Sequence, residues 1–218
     1  MTLERDFAAN PDVVAVVGAF RTGAHWLCML MQEYFGHSVA AGYSRGLQEP
    51  HLAFFTRDAH RLMGSRHQAI YIYRDPVDTA FLQSKMDPGW EHNQTNVQYH
   101  AGLYGDHLAC WLTPGHVAHL AIVRYECLRA DFPRVCLLFN QLVDEERLDR
   151  AFESVTREKA AQSSSEPTQP WPTCTDPQSN LERTIFREKY ASVVWERLLV
   201  NHEWLKIYFG HLPEEKQW

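Results

Sequence analysis

The stretch Val13-Val14-Ala15-Val16-Val17-Gly18-Ala19-Phe20-Arg21-Thr22-Gly23 carries the first decision about the fold. Five consecutive apolar, mostly β-branched residues without polar alternation fit a strand covered on both faces, as in a parallel sheet. Two glycines then bracket a turn. Leu27, Leu30, Met31 and Tyr34 follow at i, i+3, i+4 and i+7, the spacing of one helix face, with Gly36 as the stop. The order is strand, glycine-bearing turn, helix.

Two more runs repeat the strand signal. Ala69-Ile70-Tyr71-Ile72-Tyr73 ends at Arg74-Asp75-Pro76, where a helix is predicted from Asp75 with Pro76 in its first turn. A missing N–H costs little at that position. His119-Leu120-Ala121-Ile122-Val123 ends at Arg124-Tyr125-Glu126. Strands alternating with helical segments predict βαβ units. The fold class is therefore α/β, a single-domain three-layer sandwich over residues 1–218, with a central, mostly parallel sheet, helices on both faces and a P-loop-like first turn. Ligands of such sheets sit at the carboxyl ends of the strands, where Arg21, Arg74 and Arg124 fall. Asp144 to Arg150, DEERLDR, reads as a solvated helix face. Residues 161–180 hold four Ser and four Pro and read as a loop, either an active-site cover or a disordered connection. From Leu181 to Gly210 the chain reads as helical, with Phe186, Tyr190, Val194 and Leu198 along one face.

Composition narrows the function classes. The 218 residues, 45% hydrophobic and 22% charged, suffice for one buried core. A formal net charge of −6 argues against a nucleic-acid-binding face, so an anionic ligand must be met by a local cluster of positive groups. No apolar run reaches the ~18 residues of a membrane span. The N-terminal MTLERDFAANPD lacks the apolar core of a signal peptide. Five cysteines without a CxxC pair read as reduced thiols. Together these predict a cytoplasmic protein with neither a nucleic-acid nor a membrane partner; the oligomeric state stays open, a homodimer included. Of the 12 histidines, His107, His116 and His119 are the tightest group, but their spacing supplies no further convergent ligand, and no metal is expected.

The first turn has its own chemistry. A glycine-bearing turn between a buried strand and a helix presents backbone N–H groups and the helix's positive end to an anion. Gly18 and Gly23 have the spacing of a Walker A loop. That motif continues with Lys and Ser or Thr, which reach the terminal phosphates and Mg²⁺. Here Ala24 and His25 follow, and the basic residue, Arg21, precedes the second glycine. The pattern disfavours a metal-dependent kinase, which remains the alternative enzyme class.

Taken with its flanks, Ala19-Phe20-Arg21-Thr22-Gly23-Ala24-His25-Trp26-Leu27 resembles the 5′-phosphosulfate loop of sulfotransferases that use 3′-phosphoadenosine 5′-phosphosulfate (PAPS), usually P-K-S-G-T-T-W-L. The resemblance implies Arg21 at the basic position, Thr22 at the serine and Trp26 stacked on adenine; Ala24 and His25 replace two threonines. Tyr71-Ile72-Tyr73-Arg74-Asp75-Pro76-Val77-Asp78 resembles the family's 3′-phosphate segment, with Arg74 at its arginine. A guanidinium suits that role because its planar fork donates two hydrogen bonds to a phosphate. The family's serine, eight residues on, falls on Leu82, leaving Ser84 as a displaced substitute. Val123-Arg124-Tyr125-Glu126-Cys127-Leu128 resembles the L-x-Y-E-D-L segment and implies Tyr125 near the adenine. Phe186-Arg187-Glu188-Lys189 with Trp195 resembles the late basic segment, with Arg187 over the 3′-phosphate.

The activity so implied is sulfuryl transfer from PAPS, leaving adenosine 3′,5′-bisphosphate (PAP), to a hydroxyl, or less readily an amine, of a small-molecule or glycan acceptor. Such a transfer asks for alignment and charge stabilisation along the in-line axis, with Arg21 at the bridging oxygen. It also needs a base, and His51 in Glu49-Pro50-His51-Leu52, 23 residues before Arg74, matches the family's histidine; Glu49 is the other candidate. The replaced hydroxyls also admit a non-catalytic PAP- or PAPS-binding protein on the same fold.

Overall fold

A computed structural model describes residues 15–19, 21–36, 68–85, 93–113, 119–156, 159 and 177–210. Three strands, β1 (Ala15–Val17), β2 (Gln68–Tyr73) and β3 (His119–Arg124), form a parallel sheet in the order β1-β2-β3. Ala15 pairs with Ala69, Gln68 with His119 and Tyr73 with Arg124, so the carboxyl ends of β2 and β3 finish level. The predicted strands are all present within a residue of their expected limits, apart from Val13 and Val14, which lie outside the described residues.

Helix α1 (Ala24–Phe35) follows β1, and α2 (Pro76–Ser84) and α3 (Gln94–Leu112) lie between β2 and β3. After β3 come a 3₁₀ turn at Tyr125–Cys127, α4 (Leu128–Leu138), α5 (Glu145–Ser154), α6 (Pro177–Leu199), a second 3₁₀ turn at Glu203–Leu205 and α7 (Lys206–Phe209). Side-chain alternation along β2 assigns the layers, because successive residues point to opposite faces. Ile70 and Ile72 join Leu27, Leu30, Met31, Phe132, Val135 and Leu148 in a core beneath α1, α4 and α5. Ala69, Tyr71 and Tyr73 face Tyr104, Leu108 and Trp111 of α3, with Leu205 and Phe209 closing the end. Helices thus cover both faces of the sheet, as the unbroken apolar strands required. A third core joins α2, α3 and α6 through Val77, Phe81, Val97, Phe186, Tyr190 and Val194.

Helix starts follow side-chain chemistry. Asp75, Asn93 and Asp144 each accept hydrogen bonds from first-turn N–H groups at the N-termini of α2, α3 and α5, satisfying donors the helix leaves unpaired. Asp144 therefore starts the charged helix rather than lying within it. The expected loop at 161–180 is corrected at its end: α6 begins at Pro177, four residues before the predicted Leu181, because a proline with no N–H to lose is tolerated in a first turn. The remainder of that loop lies outside the described residues. The predicted helix to Gly210 is also interrupted, at Val200–His202, before the short segments to Phe209. The four described cysteines, Cys28, Cys110, Cys127 and Cys136, are free thiols. Among the described residues no helix is long and apolar enough to cross a membrane.

Within the α3 face of the core, the Tyr71 hydroxyl lies 2.7 Å from His107 Nδ1, and the Tyr71 ring stacks on Trp111 at 5.7 Å. Full burial pushes the His107 imidazole down to about 3, so the ring is neutral in the folded chain. The unfolded chain takes up a proton at that ring below about 6.5 while the folded one does not. His107 therefore costs nothing above pH 6.5 and destabilises progressively as pH falls from there towards 3. Comparing thermal or urea unfolding of the wild type with His107→Gln, the wild type should lose about 2 kcal/mol more stability between pH 7 and pH 5. Parallel pH profiles for the two proteins would contradict this.

Candidate functional site at the strand carboxyl ends

The turn after β1 is built from close contacts. The Thr22 hydroxyl donates to the Ala19 carbonyl oxygen at 2.7 Å, and the Thr22 N–H donates to the same oxygen at 3.2 Å. Gly18 lies under Thr22: a Cβ there would stand 2.4 Å from Thr22 Oγ1 and 2.8 Å from the Ile72 carbonyl oxygen. Arg21 has a left-handed φ of 71°, and Gly23 follows at 95° as the N-cap of α1. A Cβ on Gly23 would meet the Tyr125 ring at 2.3 Å, so glycine is required there both by backbone conformation and by space. The N-cap of α1 is Gly23, which makes no side-chain cap hydrogen bond to the first turn. His25 is partly buried, and burial pushes its imidazole down towards the neutral form.

Tyr125, in the 3₁₀ turn after β3, joins this turn to the end of β2. Its ring abuts Gly23 edge-on, packs against Trp26 at 5.4 Å and an interplanar angle of 64°, and receives the Arg74 guanidinium 4.4 Å from its centroid. A cation over a tyrosine face in a desolvated setting contributes on the order of 1 kcal/mol. Arg74 is itself 5% exposed, and its Nη2 lies 3.6 Å from Asp78 Oδ2. The three motifs singled out in the sequence therefore meet around one aromatic ring.

A charged lattice surrounds Arg74. Asp75 Oδ1 accepts from the Val77 and Asp78 N–H groups and from Arg187 Nη2 at 2.8 Å. Asp78 Oδ1 accepts from the same Arg187 nitrogen at 3.0 Å, and Arg183 Nη1 lies 3.5 Å from Asp78 Oδ2. Burial pushes the Asp75 carboxyl upward, with Arg187 opposing it. Glu126 bridges the strand ends: one oxygen accepts from the Asp75 N–H at 2.9 Å, the other from Arg124 Nε at 3.0 Å.

Several predicted residues occupy places the sequence did not suggest. Trp26 is 8% exposed, donates its indole N–H to the Val155 carbonyl oxygen at 2.9 Å and has Phe152 against it at 5.8 Å, so it packs into the core beside the turn. The Thr22 hydroxyl is committed to Ala19, shaping the turn. Ser84 is 1% exposed, at the far end of α2 from Arg74, and donates its hydroxyl to the Phe81 carbonyl oxygen at 2.6 Å. Its displaced spacing sends it into the core and not to Arg74. Arg124 turns away to Glu126 and lies over Phe209. Arg187 does reach the Arg74 neighbourhood, through the two aspartates. His51 and Glu49 lie outside the described residues. His107 is committed to the core, and among the described residues no group of three or more His, Cys, Asp or Glu could hold a metal ion. Asp75, Asp78, Glu126, Arg183 and Tyr104, whose hydroxyl bonds the Arg74 backbone, had no assigned role from sequence. Only Asp75, before a helix-starting proline, carried a recognisable capping signal.

Comparison with known proteins bears on the architecture. No family model matches the chain, and no curated protein matches it. A crystal structure of the mouse sulfotransferase SULT7A1, complexed with PAP, matches with a TM-score of 0.52 over 94% of this chain and 90% of that one, at 15% identity. This chain has a sulfotransferase-like fold: helix-rich α/β with a small open parallel sheet.

Proposed function

We propose that the chain is a sulfotransferase that takes a sulfuryl group from PAPS and transfers it to a hydroxyl, or less readily an amine, of a small-molecule or glycan acceptor. The observation that carries the reading is the meeting of Gly23, Tyr125 and Arg74 at the carboxyl ends of the three strands, on a fold shared with a PAP-complexed sulfotransferase. The residues suit the nucleotide. Gly18 and Gly23 keep the turn free of side chains that would fill it, and the uncapped α1 terminus and Arg21 supply positive character for a 5′-phosphosulfate. Arg74, with Arg187 and Arg183 alongside, supplies guanidiniums for a 3′-phosphate.

PAPS supplies an activated sulfuryl group whose leaving side is a phosphate. The chain's own residues then have three tasks. The α1 terminus and Arg21 hold the leaving phosphate and stabilise the charge that develops on it. Arg74 fixes the nucleotide by its 3′-phosphate and so sets the transfer axis. His51, or in its place Glu49, takes the proton from the acceptor as the new bond forms. No metal is needed for these tasks. Ala24 and His25 stand where hydroxyls would otherwise assist, so backbone N–H groups carry more of the contact to the 5′ side. A non-catalytic PAP-binding protein is the second reading, favoured by the Thr22 hydroxyl being spent on Ala19.

Thermal unfolding in the presence of nucleotides separates these readings. PAP at 100 times its dissociation constant should stabilise the protein by about 2.7 kcal/mol without Mg²⁺, and ADP should do less. No shift with PAP, or a larger one with ATP–Mg²⁺, overturns the proposal in favour of a kinase-like enzyme or an unrelated ligand. Arg74→Ala should remove the preference for PAP over AMP while the far-ultraviolet circular dichroism stays unchanged. Release of PAP from PAPS, measured across hydroxyl and amine acceptors, should fall about a hundredfold or more in His51→Ala or in Glu49→Ala. PAP binding with no release by the wild type supports the non-catalytic reading.

A further inference from the structure

We propose that Tyr104 is the positioning residue for Arg74, holding the backbone from which its guanidinium is aimed. The assignment rests on the reading of Arg74 as the 3′-phosphate ligand. The sheet ladder ends at Tyr73, paired with Arg124, so the next residue leaves the sheet with its N–H and C=O unmatched by a neighbouring strand. One phenol oxygen answers both groups: the Arg74 N–H donates to Tyr104 Oη at 3.0 Å, and the Tyr104 hydroxyl donates to the Arg74 carbonyl oxygen at 2.8 Å. Tyr104 is fully buried in the middle of α3, packed with Tyr71, Leu108 and Trp111, so the anchor sits on a rigid element. The following N–H, of Asp75, is taken by Glu126. All three backbone polar groups named here thus meet side chains reaching across from α3 and from the turn after β3.

This arrangement has a functional consequence beyond satisfying buried groups. The Arg74 side chain lies against the Tyr125 ring and near Asp78, so the position of its Cα helps to set where the guanidinium points. Loss of the phenol oxygen frees that Cα without altering any group that would touch the nucleotide. Small misplacements of a positioned group carry large penalties.

The test is the ratio of AMP to PAP dissociation constants, by calorimetry in Mg²⁺-free buffer, for the wild type, Tyr104→Phe and Tyr71→Phe. Tyr71→Phe is the matched control: it deletes another buried hydroxyl from the same β2–α3 seam, the one facing His107. Both variants should melt earlier than the wild type. Only Tyr104→Phe should lose discrimination, by roughly tenfold to a hundredfold, with AMP affinity little changed. A Tyr104→Phe protein that discriminates as well as Tyr71→Phe overturns the assignment, as does an equal loss in both. Should Tyr104→Phe not fold, Glu126→Ala, which removes the acceptor of the Asp75 N–H, must show the same loss, and an unchanged ratio there overturns it. A wild type that does not bind PAP removes the proposed function together with this assignment; a discriminating wild type with unaffected variants removes this assignment alone.

Discussion

The Tyr125 ring lying on Gly23 is the contact on which the rest of the site depends. It ties the turn after β1 to the turn after β3 through the ring edge, and the ring also carries the Arg74 guanidinium from the end of β2. Three segments, each 51 residues of chain from the next, are brought together through one aromatic side chain. Gly23 cannot be replaced without displacing that ring, since any Cβ would lie within its van der Waals envelope. The left-handed conformation at Gly23 also sets the direction in which α1 departs. Backbone conformation, helix start and ligand-facing geometry are thereby one constraint.

Around that contact, charge is organised in alternation. Arg74, Arg183 and Arg187 converge on Asp78, Arg187 also on Asp75, and Glu126 links Asp75 to Arg124. Arg74, Asp75 and Asp78 are buried and Arg183 and Arg187 half-buried, and ion pairs so placed are weak evidence for stability because hydrophobic replacements of the same volume are often no less stable. Here the lattice holds α6 against α2 beside the strand ends. The shared carboxylates also offset the repulsion between neighbouring guanidiniums. The lattice sets four guanidiniums, of Arg74, Arg124, Arg183 and Arg187, against the three carboxylates of Asp75, Asp78 and Glu126, in a chain whose formal net charge is −6.

Much of the fold was legible because its signals are local. The β-branched runs at Val13–Val17 and Ala69–Tyr73, the glycines at 18 and 23, and the aspartate before Pro76 each act on residues within a few positions. The start of α6 is not legible locally, because the four prolines of 161–180 signal a loop whereas Pro177 stands in the first turn of the helix. Side-chain roles were legible only in part, since they are decided by partners far along the chain. Nothing near Trp26 in sequence indicates that Val155, 129 residues away, takes its indole N–H. Ser84 was expected to substitute for a missing serine, yet its two-residue displacement turns it into the core, where Phe81 takes its hydroxyl. Tyr104 carried no signal at all: nothing near it in sequence indicates that the backbone it satisfies lies 30 residues earlier. His51 and Glu49 lie outside the described residues, and the roles proposed for them rest on the family resemblance.

The central claim is that the strand ends hold an adenosine nucleotide phosphorylated at both the 3′ and 5′ positions. Phosphorus-31 NMR of PAP titrated with the protein in Mg²⁺-free buffer tests it most directly, because the two phosphates give separate resonances. The account predicts that both resonances shift or broaden on binding, the 5′ signal through the α1 turn and the 3′ signal through the Arg74 cluster. A response of neither resonance, or of the 5′ resonance alone, would contradict it.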